Sequence, residues 1–313
     1  MSNSWNGLKV LVTGASGFLG SHVAERLAQL GAETCGFARH SSPGNDRIQW
    51  FNGDLSDPAA VRALLKRIRP QVVFHLAGQT DAAPDRELVL SSLHNNLAAT
   101  VTLLNELVEI GCRRVVLTGS LEEPEPGKAE SVPASPYGAS KWAEAIYSRM
   151  FHALYGLPAV IVRPYMTYGP RQRSTKLIPS VTLSLLRGLP PTISHPDREV
   201  DWVYVEDVVE GILAAGCAPA GVEGRTIDLG SGMLVPIREL VKELQNLVGG
   251  EATALLSSPV RSAGVHGRRA DMERAHRLLG WKPTTPLKKG LAQTVAWYRA
   301  RSTDHGDSGQ GRH

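Results

Sequence analysis

Up to about residue 165 the chain alternates short, almost wholly apolar runs with amphipathic stretches, and few folds accommodate that order. Residues 9–13, 33–37, 71–76, 114–118 and 159–162 are the apolar runs, and 21–30 is the first of the intervening helical stretches. A strand that is apolar along its whole length has to be covered on both faces, which calls for a parallel sheet with helices on each side. The expected class is α/β, a doubly wound parallel sheet. After Pro164 the order weakens. A loop rich in Gly, Pro and Arg (169–173), a helix near 178–187, a strand at 200–205, a helix over 207–216, a short strand at 226–229 and a helix over 236–248 suit a smaller α/β domain at the carboxyl edge of the sheet. Residues 302–313 have nothing to bury and are expected to be disordered.

The 313 residues, 42% apolar and only 20% charged, suffice for one large or two medium domains with a sizeable core. The net charge of +4 is spread along the chain. Arg261, Arg268, Arg269 and Arg274 come nearest to a basic cluster, and they alternate with small and apolar residues, so a local anion site is expected and nucleic acid is not. Cys35, Cys112 and Cys217 are too far apart for a disulfide framework or a CxxC metal site, so no metal is expected. The first strand begins by Leu8, leaving no room for a cleavable signal, and no apolar run approaches the roughly 18 residues of a membrane span. The cytoplasm is the expected compartment.

Directly after the first strand comes Thr13-Gly14-Ala15-Ser16-Gly17-Phe18-Leu19-Gly20, and a helix follows. Glycine there lets backbone N–H groups approach a pyrophosphate, while the amino end of the helix supplies partial positive charge. This is a Rossmann-type arrangement, although glycines at threes depart from the plain GxGxxG spacing. Further on, Pro136-Tyr137-Gly138-Ala139-Ser140-Lys141 reads as the start of a helix with Tyr137 and Lys141 on one face, one turn apart. A free phenol has a pKa of about 10 and is a poor acid or base at neutral pH unless a cation favours the phenolate. Lys141 is placed to be that cation.

Gly14, Gly17 and Gly20 together with Tyr137-x-x-x-Lys141 resemble the extended short-chain dehydrogenase/reductase family of NAD(P)-dependent nucleotide-sugar epimerases, dehydratases and 4-ketoreductases. Val203-Tyr204-Val205-Glu206-Asp207-Val208 and Leu279-Gly280-Trp281-Lys282-Pro283 extend the likeness over nearly the whole ordered chain. The resemblance implies a dinucleotide-binding domain over 1–165, with 202–225 returning to it, and a substrate domain over 166–201 and 226–301. It implies a cofactor site at Gly14, Ser16, Gly17, Phe18, Leu19 and Gly20, with Asp54 and Leu55 at the adenine. Leu76, Ala77 and Gly78 after His75 would line the ribose, and Asn96 matches the family's helix asparagine. At the end of the second strand, where an acidic side chain would bind the ribose hydroxyls of NAD, the chain reads Ala38-Arg39-His40-Ser41-Ser42. Arginine binds phosphate bidentately, so Arg39 with Ser42 favours NADP, with NAD as the alternative.

The resemblance also assigns a catalytic set. Tyr137 passes the proton, Lys141 lowers its pKa and holds the nicotinamide ribose, and Ser120 orients the substrate oxygen while hydride moves to or from the nicotinamide. Glu122 matches the base of the dehydratases, but Leu121 stands where they carry a proton donor. Gln79, Arg171, Arg198 and Arg261 are the expected substrate contacts; Met166 and Val200 replace an amide and an arginine that relatives use. The leading expectation is an NADP-dependent 4-ketoreductase of a 4-keto-6-deoxy nucleotide sugar, then a 4-epimerase, then a 4,6-dehydratase, with a non-catalytic dinucleotide sensor as the rival of another class. A homodimer is expected through the helices over 96–108 and 137–150, with Trp142 and Ile146 at the interface.

Overall fold

The computed structural model describes residues 4–39, 45–124, 132–249, 255–256 and 267–304. In chain order its first half runs β1 (Lys9–Thr13), α1 (Phe18–Gln29), β2 (Glu33–Ala38), β3 (Ile48–Asn52), α2 (Pro58–Ile68), β4 (Val72–His75) and α3 (Leu88–Ser92). A π-helical turn, Leu93–Ala98, joins α3 to α4 (Ala99–Ile110), and β5 (Arg114–Thr118), α5 (Pro136–Tyr155) and β6 (Ala159–Pro164) follow. The second half runs β7 (Met166–Tyr168), α6 (Leu177–Leu186), β8 (Thr192–Ile193), β9 (Glu199–Tyr204), α7 (Val205–Cys217), β10 (Thr226–Leu229), β11 (Leu234–Pro236), α8 (Ile237–Val248), β12 (Leu255–Leu256), α9 (Met272–Leu279) and α10 (Leu287–Asp304). The chain forms two compact units. Met1–Tyr165, Val209–Leu229 and Asp271–Lys282 make the first; Met166–Val208, Gly230–Ala270 and Pro283–His313 make the second.

The first unit is built on a seven-stranded sheet of order β10-β6-β5-β4-β1-β2-β3, in which every pairing is parallel. Leu11, Val73, Val115 and Ile161 from the strands pack with Leu64, Leu65, Leu103, Leu104 and Leu107 from α2 and α4 in one buried cluster. Each such side chain contributes about 2 kcal/mol by leaving water. Local chemistry sets the helix ends. Asp57 accepts from the N–H of Ala59 and Ala60 ahead of α2, with Pro58 in the first turn, and Arg69 ends that helix in the left-handed region. Ser135 accepts from Gly138 N at 3.1 Å, Pro136 opens α5, and Gly156 closes it with φ 66°.

Several boundaries differ from expectation. Residues 202–208, expected to return to the first unit, belong to the second, and 271–282, expected in the second, belong to the first, because α9 packs against β10. The first helix begins at Phe18, not Ser21, because the extended Gly17 is already its N-cap. Residues 226–229 are not part of the second unit: they form β10, paired in parallel with β6 at the sheet edge. That partner lies far back in the sequence, and a four-residue run does not advertise it. Helix α10 continues to Asp304, into the segment expected to be disordered; residues beyond 304 lie outside the described ones.

The second unit has a three-stranded sheet, with β9 central between antiparallel β11 and parallel β7. Helix α10 packs with α6 and α8. Two carboxylates organise its loops. Asp201 on β9 accepts from Ser231 N at 2.6 Å, Ser231 Oγ at 2.7 Å, Gly232 N at 2.9 Å and Ala270 N at 3.0 Å. Asp207 accepts from the backbone and hydroxyl of Thr284 and from Thr285 N, each at 3.0 Å. Val200, the residue found in place of an arginine, is buried beside Asp201.

Candidate active site

The loop from β1 into α1 is shaped by close approach. Gly14 has φ +68°, and a Cβ there would stand 2.7 Å from the backbone of Ala77. A Cβ on Gly20 would collide with the Gly14 carbonyl. Gly17 N bonds Gly14 O at 2.8 Å and closes the turn, and no side chain caps the first turn of α1. An uncapped helix start behind a turn with glycine at 14 and 17 fits a pyrophosphate. Ser16 and Gly17 are exposed, Phe18 and Leu19 half-buried. The cradle therefore suits a dinucleotide.

Around the loop stand the other cofactor candidates. Ala38 is buried at the end of β2 and Arg39 is exposed beyond it. Asp54 accepts from Ser56 N at 2.9 Å and Ser56 Oγ at 2.8 Å, and these bonds, with weaker influences from His94 and then Arg39, hold its carboxyl below the usual range. Leu55 is buried. Asn96 sits in the π-helical turn and is buried; its amide accepts from Gln79 N at 2.7 Å and donates to Gln79 O at 3.1 Å and Ser140 Oγ at 2.9 Å. One side chain thus ties Gln79, directly after the Leu76–Gly78 stretch, to Ser140 near the start of α5. The π turn is the local departure that admits it.

Ser120, Tyr137 and Lys141 converge. Ser120 is buried just past β5, with its Oγ 3.1 Å from Glu122 N, and it favours the ionised form of the half-buried Tyr137 phenol beside it. Burial pushes that phenol up, and Lys141 is the main influence in the other direction. Lys141 Nζ donates to Thr118 O and to Glu144 Oε2, each at 3.0 Å. Hydroxyl, phenol and ammonium in one cluster can pass a proton to and from a substrate oxygen.

Several residues of this cluster were not foreseen in the sequence. The carboxylate that braces Ser120 is Glu123: its Oε1 accepts from Ser120 N at 2.6 Å and its Oε2 from Arg163 at 2.9 Å. Arg163 also donates to Asp228 at 3.0 Å, and Tyr165 Oη donates to the other oxygen of that carboxylate at 3.0 Å. Glu122 beside Glu123 is half-buried. His75 is sealed in β4 between Thr13 Oγ1 and Thr100 Oγ1, each at 2.8 Å, and burial lowers its pKa to about 3, so the ring is neutral. An acidic pair in sequence does not say which member turns inward; only packing decides that. Arg171, exposed with φ +68°, and the half-buried Arg198 and Arg268 belong to the second unit. Ser42 and Arg261 lie outside the described residues.

A parallel sheet with a glycine cradle and a Ser, Tyr and Lys cluster defines a dinucleotide-dependent enzyme of short-chain dehydrogenase/reductase type. Residues 10–230 match the NAD dependent epimerase/dehydratase family. The chain is 32% identical to UDP-glucose 4-epimerase of Mycolicibacterium smegmatis over 94% of its own length and all of that protein's. It is 30% identical to dTDP-glucose 4,6-dehydratase of an Actinoplanes species, covering 94% of this chain and 98% of that one. The structure resembles UDP-glucose 4-epimerase of Thermotoga maritima, solved with UDP-glucose, with a TM-score of 0.87 and 26% identity over 94% and 99% of the two chains. The chain belongs to the NAD-dependent epimerase/dehydratase family, within the extended short-chain dehydrogenases/reductases.

Proposed function

We propose that the protein is a nucleotide-sugar 4-epimerase. The observation that carries the proposal is the Ser120, Tyr137 and Lys141 cluster with Leu121 beside it: proton exchange at one oxygen is provided for, whereas an elimination acid is not. The epimerases among the relatives favour this reading over the net reduction expected from sequence. When bound, a nicotinamide dinucleotide supplies reversible two-electron exchange with sugar carbon 4, and Gly14, Ser16, Gly17, Phe18, Leu19 and Gly20 would hold its phosphates. Tyr137 accepts the carbon-4 hydroxyl proton and returns it after the sugar has turned over. Ser120 holds the same oxygen by hydrogen bonding. Lys141 favours the phenolate electrostatically and would donate to the nicotinamide ribose. Gln79, Arg171 and Arg198 are proposed substrate ligands on the strength of the resemblance.

Ala38 and Arg39 leave no carboxylate to repel an adenosine phosphate, and we infer that NADP is accepted at least as well as NAD. The proposed assembly is a homodimer. Trp142 and Ile146 are 37% and 47% exposed, so the chain itself does not bury them, and the neighbouring helix adds Leu90 at 75% and Leu93 at 50%. The apolar surface beside α5 lies on residues 89–93 rather than on 96–108, whose Leu103, Leu104 and Leu107 are buried in the chain's own core.

The test is product analysis by mass spectrometry and NMR, with UDP-glucose, UDP-glucuronate and a 4-keto-6-deoxy sugar nucleotide supplied in turn with NAD or NADPH. The expected result is a product of equal mass, inverted at carbon 4, with no net change in reduced-nicotinamide absorbance. Stoichiometric NADPH consumption on the keto sugar would establish the reductase instead. Loss of one water would point to Glu122 as a dehydratase base.

A further inference from the structure

Glu144 is the only carboxylate of α5, and the proton transfer proposed above makes no use of it. Its side chain is 4% exposed, as is that of Lys141, and Oε2 lies 3.0 Å from Nζ. The second acceptor of that ammonium is Thr118 O, also at 3.0 Å, so two of its three N–H groups are committed inside the protein. Gly78 borders the ammonium: a Cβ there would stand 3.7 Å from Nζ. Among the described residues, these ionisable groups face Lys141 from the elements around it. Tyr137 and Glu144 are on its own helix, Glu123 follows β5, and His75 lies on β4. Glu123 is engaged by Arg163 and Ser120 N, and His75 is neutral. Glu144 is therefore the carboxylate in direct contact.

Burying both ions is costly, and such a pair is weak evidence of stabilisation by itself. What it provides is a defined charge in a place where an isolated ammonium would give up its proton. We propose that Glu144 is a positioning residue for Lys141, its carboxylate keeping the lysine charged and leaving one N–H of fixed direction for the nicotinamide ribose and the Tyr137 phenol. The inference rests on the role given to Lys141 above. The electrostatics agree: burial opposes the ammonium, Glu144 is the largest influence favouring it, and the balance holds Lys141 above an ordinary lysine.

The test separates charge from shape. Glu144→Gln keeps the size and an acceptor oxygen and removes the charge; Glu144→Asp keeps the charge. In protein labelled with 13C at the lysine Cε, with the Lys141 signal assigned through Lys141→Arg, the titration midpoint is expected to fall by about two pH units in Glu144→Gln and to stay high in Glu144→Asp. NAD affinity, followed by fluorescence, should fall about tenfold in Glu144→Gln at alkaline pH and recover as the pH is lowered. The alkaline limb of kcat should move with the NMR midpoint. A Glu144→Gln midpoint equal to wild type overturns the proposal, as does an affinity loss independent of pH. Should Glu144→Gln not fold, the wild-type midpoint decides: a value below that of an ordinary lysine, about 10.4, sinks the idea. Failure of the epimerase reading would show as absence of turnover in wild type, and it leaves the NMR and NAD-binding results standing on their own.

Discussion

Single side chains set the chemistry, and Tyr137 is the one on which most depends. Tyr137→Phe removes the proposed proton carrier and little else, so turnover is expected to fall by about 10² or more while dinucleotide affinity stays near wild type. Steady-state kinetics beside a binding titration checks both halves, and retained turnover would remove Tyr137 from the proposed role. His75 carries a different expectation. Its pKa is about 3 in the folded protein against an ordinary 6.5, so between those values the unfolded chain binds the extra proton. Stability is therefore expected to fall as pH drops from 6.5 toward 3, by up to about 1.4 kcal/mol per pH unit, with no contribution above that window. Urea unfolding at about pH 7 and about pH 5 should show a pH penalty smaller by about 2 kcal/mol in His75→Gln than in wild type. An equal penalty in both would mean that His75 is not the group responsible. Tyr137, Lys141 and the loop glycines were legible because each answers a local demand. Glu144, Glu123 and His75 were not legible in their roles, since what distinguishes them is which neighbours enclose them.

The cradle and the end of β2 belong to the element scale. A Cβ at position 20 has nowhere to go but into the Gly14 carbonyl, so Gly20→Ala should open the turn and cost at least about tenfold in dinucleotide affinity. Affinity unchanged in a fluorescence titration would contradict the cradle. At the next strand, Arg39→Asp exchanges the proposed phosphate-binding cation for a carboxylate able to accept ribose hydroxyls, and preference should move from NADP toward NAD. Titrating both cofactors into both proteins decides it; a wild type that already prefers NAD strongly would strip Arg39 of its proposed part. The inner strands of the sheet, β6, β5, β4, β1 and β2, were readable because burial on both faces makes them largely apolar. Their order was not. β10 joins β6 by hydrogen bonds between segments distant in sequence, and its own four residues carry no trace of that partner.

At the scale of the whole molecule, the exposed Trp142, Ile146, Leu90 and Leu93 form an apolar surface on α5 and the helical segment beside it. Sedimentation velocity at micromolar concentration should show a dimer, and the double variant Trp142→Glu, Ile146→Glu should sediment as a folded monomer. A wild-type monomer would refute the assembly. Among the described residues no helix is long and apolar enough to cross a membrane.

What the sequence determined by itself was the set of local necessities: apolar strands that need covering on both faces, glycines where a side chain would collide, and a phenol and an ammonium one helical turn apart. These follow from steric and periodic rules that act over a few residues, so they are written where they act. Tertiary structure alone decided which acid turned inward after Ser120, which carboxylate meets Lys141, and which unit claims residues 226–229. Those outcomes depend on burial and on partners supplied from elsewhere in the chain. A buried charge is acceptable only where a distant segment brings the opposite charge or a donor to meet it.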